Sequence, residues 1–184
     1  YADAVRKSRL RSPRVTTIVT DQVGGGKMGR VYTVEFEGVA VTAIQDLFAI
    51  APGAQKPCAI VGVLIAQSSD VGDAAEEILR IRFIRGHTTA GSGGTAPTPQ
   101  PLDDQDAAAT FTARVNDTTI ASLGTAENLI SHAFNIRTGL ELWFPPEARC
   151  RIDLVIAGNR LVVRLLAAPV DALTMSGTIF VEEC

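Results

Sequence analysis

The chain has 184 residues, 46% of them hydrophobic, and a formal net charge of −3. That is enough apolar material for one substantial core, and one domain plus an appendage is the natural expectation at this length. No apolar run reaches the roughly 20 residues of a membrane helix, and Arg164 interrupts the stretch 161–170, so no membrane partner is expected.

Charge is unevenly spread. Residues 1–30 hold seven basic residues against two acidic ones, a local charge of +5, while the remainder holds ten basic and eighteen acidic residues, a charge of −8. Residues 1–27 read as a basic extended arm carrying Arg6, Lys7, Arg9, Arg11 and Arg14. The β-prone run 14–20 (RVTTIVT) precedes Gly24-Gly25-Gly26, a flexible joint. Such an arm suits an acidic protein surface, a sheet edge or nucleic acid; a solvated leader is the plain alternative. No secretory leader is expected, because no apolar core of roughly 7–15 residues follows the basic residues. The chain opens on Tyr1, and Met28 reads as an initiation site, so processing and an upstream start both remain open.

The body, residues 28–184, reads as one strand after another. In 31–36, Tyr32, Val34 and Phe36 alternate with Val31, Thr33 and Glu35, the pattern of a half-buried strand. Glu37-Gly38 is expected to make a tight connection into a second strand at 39–44. Residues 45–50 are expected to form a short turn with Leu47, Phe48 and Ile50 packing inward. The run 59–66 (AIVGVLIA) is apolar on both faces and predicts a central strand. Residues 79–84 alternate as a strand, with a helix over 73–84 as the rival reading.

The stretch 86–109 (GHTTAGSGGTAPTPQPLDDQDAAA) predicts a long irregular loop, and loops of that length are usually functional or mobile. Contact with a neighbouring subunit is expected there, through His87, Thr88, Thr89, Pro97, Pro99 and Pro101. A strand over 110–115, a turn at Asn116-Asp117 and a strand over 130–137 follow, the last placing Ile130, His132, Phe134 and Ile136 on one side. Residues 140–144 end at Pro145-Pro146, which cannot continue an internal ladder. Residues 151–157 and 160–166 predict a hairpin about Gly158-Asn159, and 174–183 is expected to close the sheet. Regular short strands with such punctuation indicate an antiparallel β-sandwich of jelly-roll type.

Little in the chain points to catalysis. The two histidines, His87 and His132, are not clustered, and a metal site would need distant ligands such as Asp70, Asp73, Asp103 or Asp104. Asp103, Asp104 and Asp106 lack the glycine and glutamate of a calcium loop. Gly91-Ser92-Gly93-Gly94 lacks the lysine of a phosphate loop, and Ser122 and Ser176 lack a nucleophile-elbow context. Cys58, Cys150 and Cys184 match no zinc or redox spacing; free thiols are expected, with a Cys150–Cys184 pairing left open. No cofactor or metal is expected. Trp143, beside Phe144 and Pro145-Pro146, is the candidate for surface stacking, against a core or interface aromatic.

The phrases at 28–36 (MGRVYTVEF), 68–77 (SSDVGDAAEE), 85–101 (RGHTTAGSGGTAPTPQP) and 174–182 (TMSGTIFVE) resemble a group of uncharacterised proteins of tailed bacteriophages and prophages, regarded as virion structural proteins. The resemblance covers residues 28–183 and brings no catalytic residues with it. It implies a non-enzymatic head decoration (cement) or minor shell protein, localised to the virion and assembled in the host bacterial cytoplasm. The expected partner is the major capsid protein, and the expected oligomer a trimer, by analogy with other jelly-roll head proteins. Nucleic acid is expected only at the arm. The alternative is a carbohydrate-binding jelly-roll module of a phage tail or particle surface, centred on Trp143; a hydrolase with a dispersed site is a third reading.

Overall fold

The computed structural model describes residues 29–54, 56–69, 76–153 and 158–184. The arm read at residues 1–27 lies outside the described residues, as do Asp70 and Asp73. The strands are β1 (Arg30–Val41), β2 (Asp46–Ala51), β3 (Cys58–Gln67), β4 (Ile78–His87), β5 (Gln100–Pro101), β6 (Thr112–Asp117), β7 (Glu127–Asn135), β8 (Leu140–Trp143), β9 (Arg151–Ile152), β10 (Arg160–Leu165) and β11 (Leu173–Glu183), with a 3-10 turn at Pro146–Ala148.

The strands form two antiparallel sheets packed face to face. One has the order β5-β1-β11-β3-β8, with β9 also pairing β3; the other has the order β6-β2-β10-β4-β7. Four pairings are nested, β1 with β11, β2 with β10, β3 with β8 and β4 with β7. The chain is therefore one long antiparallel hairpin rolled up on itself. The roll adds the pairings of β11 with β3 and of β10 with β4. Eight strands rolled in this way are a jelly roll.

Alternation explains which residues meet in the middle. Along β1, Tyr32, Val34 and Phe36 are buried, and along β11 every second residue from Leu173 to Glu183 is buried. Phe48, Ile50, Phe83, Leu161, Val163 and Leu165 face them from the second sheet. Each such side chain contributes about 1.5–3 kcal/mol on burial. The Tyr32 ring meets Phe111 edge to face at 5.5 Å, and its hydroxyl donates to Ala107 O at 2.9 Å.

Several expectations need correction. Residues 31–36 and 39–44 are not two strands: β1 runs through, and Glu37-Gly38 is a bulge against β11 between Phe36 and Val39. Gly38 takes φ 60° there and donates its N–H to Ser176 Oγ, so the extra residue is absorbed without ending the ladder. Residues 45–50 form not a turn but β2, although Leu47, Phe48 and Ile50 are buried as expected. Residues 151–157 and 160–166 are not a hairpin: β9 pairs with β3 in one sheet, and β10 lies between β2 and β4 in the other. The segment crosses between sheets, so Gly158-Asn159 does not join adjacent strands. The strand expected over 174–183 is present as β11 and lies between β1 and β3.

The connection between β4 and β7 carries β5 and β6. β5 pairs with β1, and β6 with β2. One insert thus extends both sheets at neighbouring borders, covering strand edges that would otherwise present unpaired backbone groups.

Candidate functional site

The insert, residues 88–126, is tied down along its length. Its two passes are bridged at Thr89–Ser122, Ser92–Thr119 and Thr95–Val115. The glycines that suggested flexibility serve close approach instead. A β-carbon on Gly94 would lie 2.0 Å from Val115 O, and one on Gly86, at φ 101°, would lie 2.0 Å from Thr125 O. Only glycine admits backbones this close.

Buried charge reinforces the attachment. Asp46 on β2 accepts Arg164 Nε at 2.6 Å and Ala121 N at 2.7 Å, and Arg164 Nη2 donates to Ala121 O at 2.9 Å. Ala121 also packs on Ala49, Ile84 and Val162 of the second sheet. Asp117 accepts two guanidinium nitrogens of Arg114 and the N–H of Gly94. Gln45 Nε2 donates to Asn116 Oδ1, so Asn116-Asp117 is a buried end of β6 rather than an exposed turn. Glu183, fully buried, accepts Lys56 Nζ and both the N–H and hydroxyl of Thr110. Burial pushes the Glu183 carboxyl up, but the hydrogen bonds from Thr110 and Lys56 outweigh it and hold it below the ordinary value.

The six residues expected to bear contacts in this loop are placed unequally. His87 is not in a flexible loop: it is the last residue of β4 and buried, with Nδ1 3.4 Å from Leu123 O and Nε2 without a partner. Thr88 is half-buried, and its carbonyl accepts Arg160 Nη1. Thr89 is exposed, while Pro97, Pro99 and Pro101 are half-buried along the run to β1. The exposed apolar side chains of the insert are Leu102 (60%), Ile120 (36%) and Leu123 (70%). Sequence reading missed them because isolated apolar residues among polar ones form no period. Leu123 has φ 55°, a left-handed conformation that a branched side chain adopts only at a cost of about 1–2 kcal/mol. The basic residues Arg6, Lys7, Arg9, Arg11 and Arg14 fall outside the described residues.

A second surface lies on the outer face of the first sheet. Trp143 is 51% exposed, so it is not a core aromatic. In register, Trp143 on β8, Gly62 on β3 and Phe180 on β11 form one row. A β-carbon on Gly62 would lie 2.5 Å from the indole; its absence lets the ring lie against the sheet and meet Phe180 at 4.7 Å. The indole N–H donates to Glu141 Oε1 at 2.8 Å. Beside this row is an open groove of about 340 Å³ lined by Leu64, Ala66, Thr138, Glu141, Ser176 and Thr178.

Among the described residues, no group of three or more His, Cys, Asp or Glu could hold a metal ion. Asp103 accepts Gln105 N, and Asp106 pairs with Arg30, so these carboxylates stabilise the turn that follows β5. His132 is exposed on β7 rather than set into an apolar face. Cys58, Cys150 and Cys184 are all free thiols. Burial, with Glu183 nearby, pushes the Cys58 thiol up to about 12, which leaves it a small core residue without thiolate character. Comparison with protein-family models, curated proteins and solved structures finds no match.

Proposed function

We propose that this chain is a non-enzymatic structural component of a virion, a head decoration or minor shell protein that acts by lying against neighbouring subunits. The observation that carries the reading is Leu123: a large apolar side chain, 70% exposed, held in a left-handed conformation on an insert anchored to the body. An anchored insert that holds a strained, exposed leucine is better suited to docking than to solvent. Strain of this kind persists where the surrounding structure over-determines it, and it concentrates at functional surfaces. Leu102 and Ile120 are two further exposed apolar side chains of the insert, and the sequence resemblance to phage virion proteins points the same way. On a repeating shell, many modest contacts of this kind add through avidity. The expected partner is the major capsid protein, the expected oligomer a trimer, and the arm supplies a second, electrostatic contact.

The test is reattachment to particles that lack the protein. Occupancy is read by sedimentation and mass spectrometry for the native chain, for the Leu102→Asp/Leu123→Asp variant and for a chain lacking residues 1–27. Both changes are expected to lower occupancy, and only the loss from the arm deletion should be mimicked by raising salt. Full occupancy by both altered chains would overturn the reading.

A further inference from the structure

We infer that the outer face of the first sheet is a saccharide-binding site, with Trp143 as its stacking platform. Three observations meet there, none of which depends on the virion reading.

The first is the platform. The indole is spread over the glycine gap at Gly62 and braced by Phe180, with half its surface open to solvent. Its N–H is already bonded to Glu141, so its orientation is set before any ligand arrives. An aromatic ring held in this way takes the C–H face of a pyranose by dispersion and burial.

The second is the polar surround. The groove beside the platform is lined by Thr138, Ser176, Thr178 and Glu141 together with Leu64 and Ala66, and the hydroxyls of Thr138 and Ser176 are held in place by Asn135 O and the Gly38 N–H. Glu141 Oε1 is bonded to the indole, and Oε2 can accept from a sugar hydroxyl. A protein partner would favour a broader apolar centre. Here the row of the indole holds one further ring, Phe180, and the row beside it on β8, β3 and β11 is Glu141, Leu64 and Thr178, a mixed surface that suits a ligand with both hydroxyls and an apolar face.

The third is length. At its Ala66–Thr138 end the groove adjoins a hollow of about 180 Å³ lined by Gln67, Ser69 and Thr138. From Gly62 to Gln67 the track follows β3 for about 17 Å at the usual strand rise. That is room for a short oligosaccharide rather than a single ring, and the groove volume falls within the small end of ligand clefts, about 300–1,000 Å³.

Trp143 is the single tryptophan of the chain, so its emission reports this site alone. The experiment titrates the full chain with tetrasaccharides of glucose, galactose and N-acetylglucosamine, following emission and, in parallel, saturation-transfer NMR of the sugar. A saturable emission change with at least one probe is expected. Glu141→Gln and Thr178→Val should each weaken it about tenfold, and Trp143→Ala should abolish the NMR transfer while leaving the melting curve in place. Leu123→Asp should bind sugar unchanged, which separates this site from the particle contact. No saturable change with any probe, or binding that survives Trp143→Ala, would overturn the inference. So would a blue shift of Trp143 emission on raising protein concentration alone, since it would assign the face to a second copy of the chain.

Discussion

Replacing Asp46 with alanine tests whether the insert is anchored as described. Asp46 accepts three donors: Arg164 Nε at 2.6 Å, Arg164 Nη2 at 3.1 Å and Ala121 N at 2.7 Å. The carboxylate is fully buried and the guanidinium 11% exposed. After the substitution Arg164 keeps Ala121 O as an acceptor but loses its counter-charge. Removing one member of a buried ion pair costs about 3–5 kcal/mol, a large share of the roughly 5–15 kcal/mol that holds a domain together. With a urea slope of about 2 kcal/mol per molar, the midpoint should fall by about 2 M. Amide hydrogen exchange should quicken first at residues 118–123, because Ala121 loses its acceptor. Asp46→Asn, which keeps one oxygen for Ala121, should fall between native and alanine. The assay is urea denaturation with hydrogen exchange by mass spectrometry. A loss below about 1 kcal/mol, or unchanged exchange at 118–123, would show that other contacts hold the insert and would refute the reasoning.

Three further outcomes follow from the same structure. Leu123→Gly should raise stability by about 0.5–1 kcal/mol by relieving the left-handed conformation, yet lower particle occupancy; a thermal melt and the reattachment assay check the two halves separately. Glu183 has a lowered carboxyl pKa, so its contribution is present above the ordinary carboxylate value of about 4.3 and is lost as pH falls through the native value. The stability gap between the native chain and Glu183→Gln should therefore be flat at neutral pH and close in acid, as followed by denaturation across pH. Finally, a thiol reagent should modify exposed Cys184 quickly and buried Cys58 and Cys150 only after unfolding; three fast thiols in native buffer would contradict the burial described.

The strands of the core were legible wherever apolar and polar residues alternate, as at Tyr32–Val34–Phe36 and through β11. The burial of Leu47, Phe48 and Ile50 was legible too, but not that they form a strand, because β2 is buried at five successive positions and has no period to read. Pairing was far less visible. Gly158-Asn159 has the composition of a hairpin turn, yet the segments flanking it join different sheets, since in a rolled hairpin the partner of β10 is β2, more than a hundred residues away. Glu37-Gly38 has turn composition and makes a bulge, because the β11 ladder on both sides is strong enough to continue past it. At the candidate sites, composition misled in one direction. The glycines and threonines of the stretch 86–109 suggested mobility, whereas Gly86 at the end of β4 and Gly94 in the insert are there to let backbones touch. Trp143 stood out in the sequence as a candidate for surface stacking, but a core or interface aromatic was the stronger reading, and its exposure and its meeting with Gly62, Phe180 and Glu141 come only through strand register.

The central claim is that the chain works by contact with neighbouring subunits, and an image of it in its native particle tests that most directly. The account predicts copies repeated with the symmetry of the shell, with Leu102 and Leu123 of the insert buried against an adjacent subunit. A particle in which the chain is absent, or present with the insert facing open solvent in every copy, would contradict it.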